Sequence, residues 1–386
     1  MTKILIVDDE PDLELLIKQK FAKHLKSKEL EFVFASNGFE ALKTLHKDLD
    51  INIILTDINM PEMDGLALLS HLPELNRIMK AIIVSAYGDM SNIRKAMNRG
   101  ACDFITKPID FKDLEITIFN AIEQYLTQKK SIEAQSTLSH LEKELSIARS
   151  IQESIIPHQF TPIPEIHSFE ILGTTVPAQQ VGGDFFDFFK LADNRLGFLI
   201  GDVSGKGIPA ALFMTMTRAV MRTVAQRYNS PQDCLKEANR ILCMDNDTSM
   251  FVTLLYGILN PATGEIQLSN AGHNPPYLLA ADRTLSEIAR NEGVPLGVDE
   301  NTPFMEHRIR LNKSDCLILY TDGITEATNL QNEQYGRPRL EETIRNWPKD
   351  DSLASLLNHI LEDVHQFTGG VLLYDDMALF CLKQLV

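Results

Sequence analysis

The sequence predicts an α/β unit with a doubly wound, five-stranded parallel sheet, then a helical connector, then an α+β unit whose antiparallel sheets are flanked by helices. Three observations predict this. Short apolar runs alternate with amphipathic segments over residues 1–125, the pattern of a parallel sheet covered on both faces. Apolar residues recur at spacings of three and four before residue 157, a helical period. Beyond residue 158, apolar runs are joined by turn signals rather than by helices.

In the first region the strand-like runs are Lys3–Val7, Glu31–Ala35, Ile51–Thr56, Ala81–Ser85 and Asp103–Thr106. Amphipathic segments such as Pro11–Leu25 and Gly65–Leu72 lie between them. Residues 110–157 read as mostly helix, and 126–157 serve as the linker. Leu138, Leu141, Leu145, Ala148, Gln152 and Ile155 form a short heptad seam with one polar core position. Pairing with a second copy and packing on the helix's own domain account for that seam equally well. Pro157, Pro162 and Pro164 end the helix. In residues 158–386, turns fall at Ala192–Asn194 and 261–264, and helices are expected after Gly207, near 231–244 and near 351–365.

Composition narrows the function classes. The 386 residues include 37 basic and 53 acidic side chains, a net charge of −16. That balance disfavours nucleic acid or an anionic membrane as partner. Residues 158–386 alone contribute −11. No run of about 18 apolar residues suggests a membrane span. Acidic residues at Asp8, Asp9 and Glu10 interrupt the place of an export signal. Five scattered cysteines without a CxxC pair suggest buried thiols in a reducing cytoplasm.

Two groups of carboxylates carry the chemistry. Asp57 ends one strand and Asp8 and Asp9 follow another, so a parallel sheet gathers three carboxylates at one edge. Such a cluster suits a hard cation with oxygen ligands. Ser85 and Lys107 end two more strands. With D-I-N-M-P-E-M-D-G (57–65), V-S-A (84–86) and K-P (107–108), residues 1–125 resemble the receiver domain of two-component response regulators. The resemblance implies that Asp57 is the phosphate acceptor and that Asp8, Asp9, Asp57 and the Asn59 carbonyl hold one Mg²⁺. It assigns Ser85 and Lys107 to the phosphoryl group and Phe104 to the switch, with a cis Lys107–Pro108 bond. A sensor histidine kinase would be the phosphodonor.

The second group begins with a hairpin. Asp184 and Asp202 lie nine residues either side of Asp193, so a turn centred there makes them cross-strand neighbours about 5 Å apart. Like charges so placed call for a bridging cation. Asp322 and Asp375 also adjoin apolar strands. The stretches V-G-G-D-F-F-D (181–187), G-D-V-S-G-K-G-I-P-A-A-L (201–212), N-A-G-H-N-P-P (270–276), Y-T-D-G-I-T-E-A (320–327) and D-D-M-A-L-F (375–380) resemble the metal-dependent type 2C serine/threonine phosphatases, in particular their bacterial sporulation and stress-response branch. That resemblance implies two Mn²⁺ or Mg²⁺ ions on Asp184, Asp202, Asp322, Asp375 and the Val203 carbonyl, and attack on phosphorus by a metal-acidified water. Asp376 ranks below Asp375. The general acid is unassigned, His273 reads as a loop-shaping residue, and Lys206 reads as a solvated loop lysine.

The expected whole is a response regulator in which phosphorylation of Asp57 controls phosphatase activity through helix 110–157, with a homodimer through the linker; the sign of that control is not legible. Its substrate, acting in trans, would be a phosphorylated anti-sigma-factor antagonist or similar small regulator. The alternative is a non-catalytic phosphatase-fold adaptor gated by the receiver. The substrate, the cognate kinase and the preferred metal are not legible.

Overall fold

The computed structural model describes residues 1–86, 89–157, 168–244, 246–289, 293–348 and 352–385. Pro162, Pro164 and the first residue of the helix expected at 351–365 lie outside them. Packing divides the chain into two units, Met1–Leu141 and Glu142–Val386. No described helix is long and apolar enough to cross a membrane.

In the first unit, strands β1 (Thr2–Val7), β2 (Leu30–Ala35), β3 (Ile51–Asp57), β4 (Lys80–Ala86) and β5 (Asp103–Lys107) form one parallel sheet in the order β2-β1-β3-β4-β5. Strand residues feed two cores by turns. Leu5, Val7, Ile54 and Ile83 enter one, while Ile4, Ile6, Ile53, Leu55, Ile82 and Val84 enter the other. A strand buried on both faces needs an unbroken apolar run, and Ile51–Leu55 is nearly one. Helices α1 (Pro11–Lys20), α2 (Ala22–Lys26), α3 (Gly38–Lys47), α4 (Gly65–His71) and α5 (Met90–Asn98) connect the strands. The segment expected as one helix over 11–25 is two, because the chain leaves helical geometry at Phe21, whose side chain is buried. Since the strands are parallel, Asp8, Asp57, Ser85 and Lys107 all fall at their C-terminal ends.

Helix α6 (Phe111–Ile155) runs unbroken for 45 residues. The linker expected over 126–157 therefore has no start of its own. The seam divides along its length. Leu138 and Leu141 are exposed, whereas Leu145, Ala148, Gln152 and Ile155 are half-buried and Ile156 joins a core of the second unit. The later half of the seam thus packs on its own unit.

The second unit is two stacked antiparallel sheets with helices outside. One sheet runs β13 (Glu306–Arg310), β10 (Glu265–Ala271), β9 (Val252–Asn260), β8 (Leu196–Val203), β7 (Phe185–Lys190). The other runs β12 (Leu285–Glu287), β11 (Tyr277–Leu279), β14 (Cys316–Tyr320), β15 (Met377–Gln384), β6 (Phe169–Val176). Phe186, Phe198 and Ile200 face Leu319, Phe380 and Leu382 between the sheets, and the Phe198 and Phe380 rings stack 5.8 Å apart. Phe185, Phe189 and Leu199 alternate outward, onto helices α7 (Ile208–Val224) and α8 (Pro231–Cys243). Helices α9 (Asp322–Thr325), α10 (Gly336–Asn346) and α11 (Leu353–Thr368) complete the unit, the last two over the other sheet. Of the cysteines, 234, 316 and 381 are buried, 102 and 243 are half-buried, and all five are free.

One buried charge ties α7 to the first sheet. Asp187 is fully buried on β7 and accepts two hydrogen bonds from Arg222, at 2.6 and 2.8 Å, with Arg218 Nε 3.0 Å away. Removing the carboxylate would leave two guanidinium groups without their partner. Arg222 is partly hydrated, which places the cost at the lower end for a broken buried pair. We expect Asp187→Ala to lower unfolding free energy by about 3 kcal/mol, read from urea unfolding of the full chain. A change below about 0.5 kcal/mol would mean the pair does not anchor the helix.

Candidate functional site

At the edge of the parallel sheet, Asp8, Asp9 and Asp57 each offer an oxygen within 4.8 Å of the others, the only such trio among the described residues. Burial raises the Asp8 pKa, and the Asp57 charge adds to that. Lys107 Nζ lies 2.6 Å from Asp57, 3.3 Å from Asp8 and 3.0 Å from Glu10. Burial pulls its pKa down, but its bonds to Asp57 and Glu10 outweigh this and hold the ammonium charged. Among the described residues, the buried Ser85 Oγ has no hydrogen-bond partner. Asp57 accepts from the Asn59 N–H at 3.3 Å. Phe104 is on the surface, and the Lys107–Pro108 peptide is cis. Gly65 packs on the acceptor strand so tightly that a Cβ would lie 2.1 Å from the Asp57 carbonyl oxygen. All-oxygen donors, a clustered negative charge and a spare hydroxyl fit a divalent cation and an incoming phosphoryl group.

The hairpin of the second unit has the register expected of it. The last paired residues are Phe185 and Gly201, so Asp184 and Asp202 face each other one step beyond. Burial is the main cause pushing Asp184 well above the usual carboxylate range, with the Asp202 charge next. Burial likewise raises Asp202 to about 7, with Asp322 and Asp375 adding repulsion. Asp322 opens α9 directly after β14, and Asp375 precedes β15. Gly323 is obligatory there, since a Cβ would lie 1.8 Å from the Asp376 carbonyl oxygen. The Val203 carbonyl faces Gly183 at the end of β8, 3.0 Å from where a Cβ on that glycine would stand. Among the described residues, the buried Asp184 Oδ2 has no hydrogen-bond partner. That orphaned oxygen among oxygen donors and mutually repelling carboxylates fits divalent cations.

The neighbours divide by role. Asp376 spends one oxygen on Ala178 N–H at 2.7 Å and the other on Gly183 N–H at 2.6 Å, so it clamps the loop that carries Asp184. Lys206 is not the solvated lysine expected. Its Nζ lies 3.2 Å from Asp375, 3.6 Å from the Tyr374 ring centroid, and donates to the Tyr374 carbonyl. Burial lowers the His273 pKa to about 4, so the ring is neutral near pH 7 and is not poised as a leaving-group acid.

Sequence reasoning also missed a contact from the helix before this site. Gln152 of α6 donates to the Gly182 carbonyl at 2.6 Å and accepts from the Gly182 N–H at 3.1 Å. The polar residue in an apolar seam was the available signal, and its meaning is a grip on the backbone two residues before Asp184. A groove of about 90 Å³ lies alongside, lined by Gln152, Ile156, Asp184 and Asp376 among others.

Known proteins share these parts. Residues 192–384, half the chain, match the family model described as Stage II sporulation protein E (SpoIIE), and residues 4–119 match that of the response regulator receiver domain. Protein IcfG of Synechocystis sp. is 27% identical over 266 residues, covering 62% of this chain and 41% of that protein. The chain thus spans about two fifths of that relative's length. Phosphoserine phosphatase RsbU of Bacillus subtilis is 28% identical over 250 residues, covering 64% of this chain and 71% of that protein. The SiaA-PP2C domain of Pseudomonas aeruginosa superposes with a TM-score of 0.55 at 18% identity, covering 64% of this chain and 98% of that one, which is a likeness of fold.

The raised carboxylates set a sign for pH. Asp202 binds its proton more tightly folded than unfolded, so its contribution to stability is complete below its ordinary value of 3.8 and is lost as pH rises through about 7. With a chelator present, unfolding free energy of the second unit should fall by about 2 kcal/mol between pH 5.5 and 8 from this group. Urea titrations at several pH values measure it. The Asp202→Asn variant should lose that slope, and an unchanged slope would refute the assignment.

Proposed function

The chain belongs to the stage II sporulation protein E family, and on that footing we propose that its second unit is a two-metal serine/threonine protein phosphatase controlled by phosphorylation of Asp57. The observation that carries the reading is the buried pair Asp184–Asp202, set face to face and short of a compensating charge. We assign Asp184, Asp202, Asp322, Asp375 and the Val203 carbonyl to two Mn²⁺ or Mg²⁺ ions. When bound, the ions supply an acidified water and neutralise charge on the phosphoryl oxygens.

The chain's own residues do the rest. Asp376 holds the Gly182–Gly183 backbone so that Asp184 keeps its place opposite Asp202. Gly323 lets the chain after Asp322 pass against the Asp376 carbonyl. Lys206, held by Asp375 and Tyr374 at the rim, supplies a cation that could meet a phosphoryl oxygen. In the first unit Asp57 accepts the phosphoryl group, Lys107 and Ser85 hold its oxygens, Phe104 repacks, and Asp8, Asp9 and the Asn59 carbonyl complete one Mg²⁺ site. A sensor histidine kinase is the donor in this reading. The substrate is a phosphoserine or phosphothreonine on a small regulator acting in trans, of the anti-sigma-factor antagonist class. The name of the B. subtilis relative, a phosphoserine phosphatase, supports the chemistry.

Helix α6 is the route between the units. It begins on the first and, through Gln152, holds the backbone next to Asp184 in the second. A shift of its C-terminal turns moves Gly182 and disturbs the Asp184–Asp202 pair. Exposed Leu138 and Leu141 leave the earlier half of the seam free to pair with a second copy.

Two outcomes are expected. Hydrolysis of an aryl phosphate and of a phosphoserine peptide should require Mn²⁺ or Mg²⁺ and fall at least about 100-fold in Asp202→Ala. No turnover with either metal would leave a binding adaptor as the better reading. Beryllofluoride, a phosphoryl mimic at Asp57, should raise the rate in the wild type but not in Asp57→Asn, and Gln152→Ala should weaken that response. Equal rates with and without the mimic, at matched dimer fraction, would remove control by the receiver.

A further inference from the structure

Lys206 stands in the turn between β8 and α7, four residues after Asp202. Gly205 and Gly207 flank it with φ angles of 84° and 71°, a geometry that favours glycine and turns the chain sharply there. Its side chain crosses to a segment 168 residues further along the chain. There Nζ donates to the Tyr374 carbonyl, lies 3.6 Å from the Tyr374 ring centroid and 3.2 Å from Asp375 Oδ2. Tyr374 and Asp375 line a small cavity with Gly323 and Glu326, so their segment packs against the start of α9, which Asp322 opens. One ammonium group therefore stands where the segments carrying Asp202, Asp322 and Asp375 come together.

Its contacts differ in what they do. The Lys206 and Asp375 side chains are 28% and 31% exposed, and a pair so hydrated adds little to stability. The pair does have a cost for metal binding. The ammonium occupies a carboxylate oxygen and repels an incoming divalent cation. A carboxylate that has given its charge to such a cation holds an ammonium less strongly. The Tyr374 ring and carbonyl still keep Nζ at the rim. An ammonium held there, with its carboxylate spent, is a donor for a second anion. Under the reading above, the anion that enters this site is a phosphoryl group.

We propose that Lys206 plays two opposed parts: it guards Asp375 against divalent cations, and it binds the phosphoryl group of the substrate once that carboxylate is taken. This rests on the metal-binding reading above. Lys206 is thus a substrate-binding residue whose partner in the metal-free protein is a metal ligand.

Two binding measurements on the full chain test it. One is Mn²⁺ affinity, read as free Mn²⁺ by electron paramagnetic resonance. The other is affinity for inorganic phosphate at saturating Mg²⁺, read by calorimetry. Lys206→Gln keeps a donor for the Tyr374 carbonyl and loses the charge. It should bind Mn²⁺ about 5-fold more tightly than wild type and phosphate about 10-fold more weakly. Tyr374→Leu keeps the carbonyl and loses the ring, and should weaken phosphate binding by about 3-fold. A lysine that merely ties two loops together would not move the two affinities in opposite directions. Mn²⁺ affinity in Lys206→Gln equal to or below that of wild type overturns the guard. Unchanged phosphate affinity, or no phosphate binding by wild type, overturns the phosphoryl contact. Thermal unfolding in chelator shows whether each variant is folded, and Lys206→Met, which removes the same charge, decides if Lys206→Gln is not. Absence of Mn²⁺ binding by wild type would instead remove the metal reading itself, and the guard with it.

Discussion

The constraint on which the rest of the structure depends is the forced meeting of carboxylates at strand ends. A sheet delivers each strand's last residue to a fixed place. In the first unit that places Asp8, Asp9 and Asp57 within 4.8 Å of one another. In the second, a hairpin places Asp184 opposite Asp202 and two further strands bring Asp322 and Asp375 near. Burial, with neighbouring charge adding to it, opposes ionisation of Asp8 in the first cluster and of Asp184, Asp202 and Asp322 in the second. Each is tolerated because the surrounding core is extensive, with three apolar clusters in the second unit alone.

The two clusters resolve the repulsion differently. The first has a resident cation, since Lys107 Nζ reaches both Asp57 and Asp8. A lysine so placed offsets part of the carboxylates' charge as a point charge. In the second, Lys206 lies 3.2 Å from Asp375. Burial raises both Asp184 and Asp202, Asp202 to about 7. Buried carboxylates set face to face are the kind of donor set that suits a divalent ion.

Much of this was legible from sequence, for a stated reason. Period-2 and apolar-run patterns located the strands of the parallel sheet to within a residue or so, because strands buried on both faces allow no polar interruption. The hairpin register followed from equal spacing about Asp193, which the ladder from Phe185–Gly201 to Lys190–Leu196 reproduces. What was not legible depends on contacts between distant segments. Asp376 differs from Asp375 only because its oxygens meet Ala178 and Gly183, nearly two hundred residues away. Lys206 seemed a loop lysine because nothing local reveals Tyr374 and Asp375. The break at Phe21 was missed because the amphipathic period carries through it.

Gln152 shows how a local rule can be right and still incomplete. In a heptad seam a polar core residue usually specifies register or partner number at a cost in stability. Here its amide meets both polar groups of one backbone residue, Gly182. A leucine at that position would pack as well but could hold nothing. The helix therefore ends on a bidentate contact whose geometry depends on its rotation and axial position. Two hydrogen bonds, each worth about 1 kcal/mol net, suffice to favour one setting of the Asp184 loop over another by a factor of about ten or more. A contact of that size holds one rotation of the helix and is lost on a small axial shift.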